Sequence, residues 1–535
     1  MPPLRPGPRT GPRRLLGLLL IASLAAACSP ADDPSPIRTD GRFEDWDQVA
    51  AVLTDPVDAP GDAAIDLGAI RLTDDPWWLF FDIELGRPVT VQSMRGALHV
   101  LLDADGDPAT GARLFDMSGV DLVIELSRQD EARPNGYGGG NGLRPVSAAG
   151  PGAIVSGYDL GLLVAPTYAA ARVEMRVGRR AGGGLPPVAR GARVRVKLVF
   201  EGPDGVADQT DVGEYALAHA AAETPEPRFD GDIAKADGTF RVVQWNVSGQ
   251  NMWDEGDKVR RVLAALDPDV LVLDEATAAS TPASVRRFLG EGPLGGKGEW
   301  QVVVGLGGGR QHGVVASRQP MRASPELLTV AYASSTLDEL AGRMGAAAAA
   351  TLVPVERASG LATAGAWVEV GGREILFVPV DFQSGGYAGS PEDQLRAVQA
   401  TAIRDRVDEA LRSVENPAVV IAGDLNLVGT AEPLSRLRSG LGRGGTPLAV
   451  SPAYRLADRS QATWRSTRYP AFTPGRLDFM LYSGAVLAVD RAFPFDPEGV
   501  TPARLAALGL EEGDARAVSD HLPVVTDFRV RGAGQ

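Results

Sequence analysis

Eight residues near the middle of the chain, Ala220-Ala221-Ala222-Glu223-Thr224-Pro225-Glu226-Pro227, separate two stretches whose hydrophobic periods differ. The segment is small, polar and Pro-rich, so it keeps the backbone extended and offers a core nothing to bury. Before it, apolar residues recur at every second position, the period of a strand with one buried face. Trp77, Leu79, Phe81, Ile83 and Leu85 form such a set. After it, short apolar runs alternate with stretches of helical period, beginning with Val259, Val262, Leu263 and Leu266. A chain of 535 residues has room for two to four domains at about 150 residues each. The change of period resolves that range to two, an all-β half at 37–219 and a mixed half at 237–533, joined by a linker over 220–236.

In the first half the pattern predicts strands at 65–72, 77–85, 97–102, 120–126, 173–177 and 192–200. The Gly-rich stretches 132–142 and 181–191 read as long loops. Short strands with turn signals between them suggest a β-sandwich. One predicted hairpin tip reads Asp103-Ala104-Asp105-Gly106-Asp107-Pro108. Its alternating carboxylates are either a solvated turn or hard oxygen donors of the kind calcium takes. The Asp40-Gly41-Arg42-Phe43-Glu44-Asp45-Trp46 segment, this tip and Gly119-Val120-Asp121-Leu122 resemble landmarks of sandwiches related to family-9 carbohydrate-binding modules. The resemblance implies a structural calcium held by Asp103, Asp105, Asp107 and Asp121. It leaves the ligand of the sandwich open, a glycan or another cell-surface group.

The N-terminus has its own signature. Arg5, Arg9, Arg13 and Arg14 precede an apolar run from Leu15 to Ala27, and the only cysteine, Cys28, follows Leu24-Ala25-Ala26-Ala27. A run of thirteen residues is shorter than the ~20 that span a bilayer, and a basic start with small residues before a cut marks a secretory signal. The segment resembles a bacterial lipoprotein signal, with Leu24 one position further from the cysteine than usual. The resemblance implies cleavage after residue 27, lipidation of Cys28, a tether over 28–36 and a lipoprotein exported to a membrane surface, the outer membrane foremost. A single cysteine excludes an internal disulfide and a multi-cysteine metal centre.

In the second half, five apolar runs end in, or contain, a polar group. Arg241 to Val247 contains Asn246, and Val270 to Leu273 leads into Asp274-Glu275. Glu374 to Val380 leads into Asp381, followed by a Gln-Ser-Gly-Gly loop and a helical pattern carrying Leu395, Val398, Ile403, Val407 and Leu411. Ala418 to Ala422 leads into Gly423-Asp424-Leu425-Asn426, and Arg476-Leu477-Asp478-Phe479 opens another run. Last comes Ser519-Asp520-His521. Taken together these resemble the endonuclease/exonuclease/phosphatase superfamily, the metal-dependent phosphoesterases related to DNase I. The resemblance runs from about Thr239 to Val530. It implies an α+β domain of four layers (α/β/β/α), two face-to-face sheets with helices outside.

The resemblance also implies roles. Glu275 would be the main ligand of Mg²⁺ or Mn²⁺, shared with Asp520. Asn246 and Asn426 would hydrogen-bond around metal, phosphate and water, Asp424 would orient or deprotonate the attacking water, and Asp478 would hold His521 for proton transfer or phosphate contact. Many members carry a second histidine where this chain has Asp381, so Asp381 is a candidate for phosphate contact or a second metal. His312 could supply that missing histidine from a neighbouring loop, and Arg318 and Arg396 are further candidates for phosphate.

The charge balance narrows the substrate. With 53 basic and 68 acidic residues the formal charge is −15, and −19 once the four signal arginines are gone. Such a chain does not hold nucleic acid by bulk electrostatics. The expectation is a monomeric, lipid-anchored phosphoesterase that cuts extracellular nucleic acid with a divalent ion screening the repulsion. A phospholipid or sphingolipid headgroup is the alternative substrate, and a non-catalytic adhesion lipoprotein the alternative class.

Overall fold

The computed structural model describes residues 37–531 except 131, 133–135, 225 and 297. The signal at 1–27, Cys28 and the tether at 28–36 lie outside the described residues. Among those described, no helix is long and apolar enough to cross a membrane.

Residues before the linker form two large antiparallel sheets and a two-stranded one, Ala112–Leu114 with Met117–Val120. Five strands run in the order Ala51–Thr54, Ala69–Asp74, Trp78–Val89, Ala170–Gly178, Leu163–Ala165, and the second sheet is built on Ala97–Asp103, Leu122–Leu126 and Arg193–Gly202. Leu79, Phe81, Ile83 and Leu85 of the first sheet pack with Leu98, Val100, Ile124, Val196 and Leu198 of the second in one buried cluster. The two-residue period delivers that face. Trp77 departs from it: it joins Trp46, Trp78 and Phe80 in a separate cluster on the other side. The first six residues of Trp78–Val89 are therefore buried on both faces, which alternation alone understates.

Beyond the linker two six-stranded sheets share a core. The first has the order Gln301–Val304, Gln311–Ser317, Val270–Thr277, Phe240–Gly249, Val524–Val530, Leu487–Pro494. The second has the order Met321–Ala323, Ala366–Val370, Arg373–Asp381, Ala418–Asp424, Asp478–Tyr482, Ala449–Val450. Val242, Val270, Val272 and Val315 of the first meet Val368, Ile375, Phe377, Val420 and Met480 of the second. The alternate residues point outward and are covered as well. Val243, Trp245, Leu271 and Leu273 pack on helix Gly256–Leu266, through Val259, Val262, Leu263 and Leu266. Leu376, Val378, Val419 and Ile421 pack on helix Pro391–Leu411, through Ile403 and Val407. Strands covered on both faces read as unbroken apolar runs, which is how these appear in the sequence. Two helices, Ser334–Met344 and Ala346–Ser359, occupy a stretch whose Ala-rich sequence carries little periodicity.

The two halves meet through a buried ion pair. Arg176 donates to Asp458 at 2.7 Å, with the two side chains 4 % and 10 % exposed. Burial raises the Asp458 carboxyl, but Arg176 and Arg455 outweigh it and hold the group far below the carboxylate range. Replacing Asp458 by Asn leaves the buried Arg176 without its carboxylate, while Arg455 keeps Asp496 at 2.6 Å, and should lower stability by about 3 kcal/mol, read from a denaturant midpoint. The sign of the pH effect follows from the depressed value. The Asp458 contribution is complete above its unfolded pKa of about 3.9 and fades as pH falls below it, and D458N loses that part of the acid dependence.

Candidate active site

Strand direction brings the polar groups to one edge of both sheets. Phe240–Gly249 and Val270–Thr277 run parallel, so Asn246 and Glu275 emerge at neighbouring C-terminal ends. Arg373–Asp381 and Ala418–Asp424 are also parallel and end with Asp381 opposite Asp424. The antiparallel strands beside them begin where these end. Asp478 pairs with Asp424, and His521 sits three residues before Val524, the partner of Gln244. Sites in open α/β sheets form outside the carboxyl ends of parallel strands for the same topological reason.

The side chains interlock. His521 Nδ1 lies 2.8 Å from Asp478 Oδ2, and Nε2 lies 3.6 Å from Asp424 Oδ2. Asn246 Nδ2 donates to Glu275 Oε1 at 3.0 Å. Asp424 accepts from Asn426 N and Nδ2, both at 2.8 Å, and the same amide also donates to the Phe382 carbonyl. Trp464 Nε1 donates to Asp520 at 3.2 Å. Glu275, Asp424, Asn426, Asp520 and His521 line one cavity of about 570 Å³. Ser248, Glu275 and Asn426 hold left-handed φ of +49°, +53° and +47°. At Glu275 the register shifts on both neighbouring strands, so a bulge aims this carboxylate.

The electrostatics are those of a buried cluster of acids around the His521 imidazole, with Arg468 out on the rim. Burial lowers the His521 imidazole, but Asp478 and then Asp424 outweigh it and hold it well above its usual value. Burial raises Asp478, but the same histidine more than reverses that and leaves it low. Asp424 is pushed up to about 8 by burial, against the pull of His521. Burial, then Glu275 and Asp424, push the Asp381 carboxyl far up. These are acids crowded together with too little positive charge.

Some groups at the site have no motif. Gln244 Nε2 bridges Asp274 at 2.9 Å and Asp478 at 3.1 Å, and Asp274 is fully buried. Gln244 precedes Asn246 by two positions in an apolar run, so a polar residue on a face that should be apolar was the available signal.

Other expected residues stand elsewhere. Arg318 is no phosphate ligand: Gln311–Ser317 runs antiparallel to Val270–Thr277, which puts Arg318 at the opposite end from Glu275. It bonds Asp267 at 2.9 Å and stacks on Trp300. His312 pairs with Ala276 next to Glu275, but its Nδ1 contacts the Gly307 carbonyl at 2.8 Å and it does not line the cavity. Arg396 is buried and donates to the carbonyls of Gln383 and Gly385, so it braces the 383–386 loop. In the β half the carboxylates of Asp103, Asp105 and Asp121 gather within 4.8 Å of one another. Asp107 stands apart, accepting from Ala109 N. Arg190 and Arg195 already pair with that trio.

Comparison with curated proteins gives no match. Among solved structures the chain is similar to truncated Caenorhabditis elegans TDP2, at 14 % identity and TM-score 0.36, covering 54 % of this chain and 97 % of that one. It is similar to the human Nocturnin catalytic domain with bound sulfate, at 16 % identity and TM-score 0.34, covering 56 % and 97 %. An AP endonuclease from Archaeoglobus fulgidus is similar at 12 % identity and TM-score 0.33, covering 54 % and 98 %. The sequence profile of the Endonuclease/Exonuclease/phosphatase family matches residues 243–521, more than half of the chain, and the protein belongs to that family.

Proposed function

We propose that the protein is an exported, lipid-anchored, divalent-metal-dependent phosphoesterase that hydrolyses phosphodiester bonds of extracellular nucleic acid. The observation that carries this reading is the His521–Asp478 contact of 2.8 Å facing the cavity that Glu275 also lines. Family membership supports the hydrolase class, and the anchor rests on the basic start, the apolar run and the small residues that lead into Cys28.

The residues fit a metal of the Mg²⁺ type. Glu275, Asp520 and the amides of Asn246 and Asn426 are hard oxygen donors, and Mg²⁺ takes one or two carboxylates while keeping several waters. The raised Asp381 and Asp424 carboxyls mark excess negative charge that a dication would relieve. When bound, such an ion neutralises charge developing on the phosphoryl oxygens. The chain's own groups do the rest. Asp478 fixes the His521 ring, so that Nε2–H points at the phosphoryl oxygens and stabilises the charge that builds there. Asp424 accepts the proton of the attacking water. The water oxygen bonds to phosphorus, the ester P–O bond breaks, and the leaving oxygen takes a proton from solvent.

The test is turnover by purified residues 29–535 with Mg²⁺ on bis-p-nitrophenyl phosphate, plasmid DNA, RNA and sphingomyelin. Hydrolysis of the aryl diester and a nucleic acid is expected. Turnover of sphingomyelin alone replaces the substrate, and turnover of none removes the enzyme reading.

A further inference from the structure

The cavity holding Glu275 and His521 is not walled by the family domain alone. Thr90, Gln92, Ser93 and Thr167 of the β half line it too. The facing rim, Arg468, Tyr469 and Phe472, belongs to the long segment between strands Ala449–Val450 and Asp478–Tyr482, which has no helix or strand of its own. Such a stretch leaves backbone groups in need of partners.

The β half supplies them. Tyr158 OH donates to the Ser466 carbonyl at 3.2 Å, Ser156 Oγ to Pro470 at 3.2 Å, and Thr167 Oγ1 to Arg476 at 3.3 Å. Asn141 N donates to the Ala471 carbonyl at 2.5 Å. Thr473 N donates to Gln92 Oε1 at 3.0 Å, and Asn141 Nδ2 fixes that same oxygen at 2.8 Å. On the other side of the cavity, Ala388 N donates to Thr90 Oγ1 at 3.2 Å. Gly140 has φ +76°, and a Cβ there would sit 2.2 Å from the Ala471 carbonyl oxygen, so only glycine lets the two halves approach this closely.

We infer that the β half is part of the substrate site. It walls one side of the cleft and holds Arg468, Tyr469 and Phe472 as a shelf for an unpaired base, so the enzyme acts on single-stranded or chain-end phosphodiesters and disfavours continuous duplex. This rests on the phosphoesterase reading. Tyr469 is 49 % exposed with Arg468 over its ring, and aromatic faces and guanidiniums are the surfaces on which single-strand bases stack. A cavity of 570 Å³ is of small-ligand size. A duplex carries two backbones and needs a cleft open on both sides.

The test is fluorescence anisotropy of a fluorescein-labelled trinucleotide on residues 29–535, with a blunt duplex of the same sequence as competitor. The trinucleotide should bind about tenfold more tightly than the duplex, the value of one stacked base. The near-isosteric Gln92→Met and Thr90→Val each remove one hydrogen bond that holds a rim, to Thr473 N and Ala388 N. Either should cut the ratio of trinucleotide to bis-p-nitrophenyl phosphate kcat/KM by about fivefold. Melting midpoints within a few degrees of the parent separate this from loss of fold. Equal binding of single strand and duplex, absence of trinucleotide binding, or variants that leave the ratio unmoved overturn the inference. Failure of the parent to hydrolyse the aryl diester would instead remove the phosphoesterase reading, and the anisotropy would still decide the wall.

Discussion

His521→Ala lowers kcat/KM for bis-p-nitrophenyl phosphate by about 10³-fold, the range expected when a positioned acid–base or charge-stabilising group is lost. The imidazole is 5 % exposed and touches two carboxylates, so its removal also leaves Asp478 buried without its cation. A loss of stability of about 2 kcal/mol accompanies the loss of activity and is read separately by calorimetry. Asp478→Asn distinguishes the two effects. It keeps the volume and the bond from Gln244 but can no longer fix the ring as the carboxylate does, and should cost about 10²- to 10⁴-fold. If H521A and D478N both retain wild-type rates while folded, the contact is structural and the mechanism is wrong.

Glu275→Gln should abolish measurable turnover, a fall of about 10³-fold or more, and weaken Mg²⁺ binding at least about tenfold by titration calorimetry. Among the described residues, Oε1 is the one of its two oxygens with a hydrogen-bond partner, Asn246 Nδ2. The amide keeps size and that bond but removes the charge a dication needs. Chelation of the wild type should give the same null rate and excess Mg²⁺ should restore it, whereas E275Q stays inactive at any Mg²⁺ concentration. Wild-type turnover in the presence of chelator would contradict the metal assignment.

The groups at the sheet edge were legible because each ends or opens an apolar run, and a lone polar residue there is visible in one dimension. Gln244 and Asp274 were harder, since a buried polar residue announces itself only once its neighbour strand is known. Arg318 was misplaced because a run of apolar residues states where a strand is and not which way it points. Once Gln311–Ser317 is antiparallel, its two ends exchange places. The contribution of Thr90 and Gln92 was hidden by distance along the chain. Gln92 and Thr473 are 381 positions apart and meet through one hydrogen bond, which leaves no local pattern. Asp107 shares its spacing with Asp103 and Asp105, yet the hairpin turns it toward Ala109.

The placement of Asp381, Asp424 and Asp478 at strand ends has a consequence for how this protein can change. The interiors of those strands, Ile375, Phe377, Val420 and Met480 among them, carry the inter-sheet packing, while the terminal positions carry the carboxylates of the candidate site. Reactivity and foldability therefore draw on different side chains of the same strands. A library confined to the edge, with His admitted at 381, can alter the proton inventory of the cleft while every packing residue stays as it is. The scaffold is in that sense modular along the strand axis, with a packed interior and an interchangeable tip.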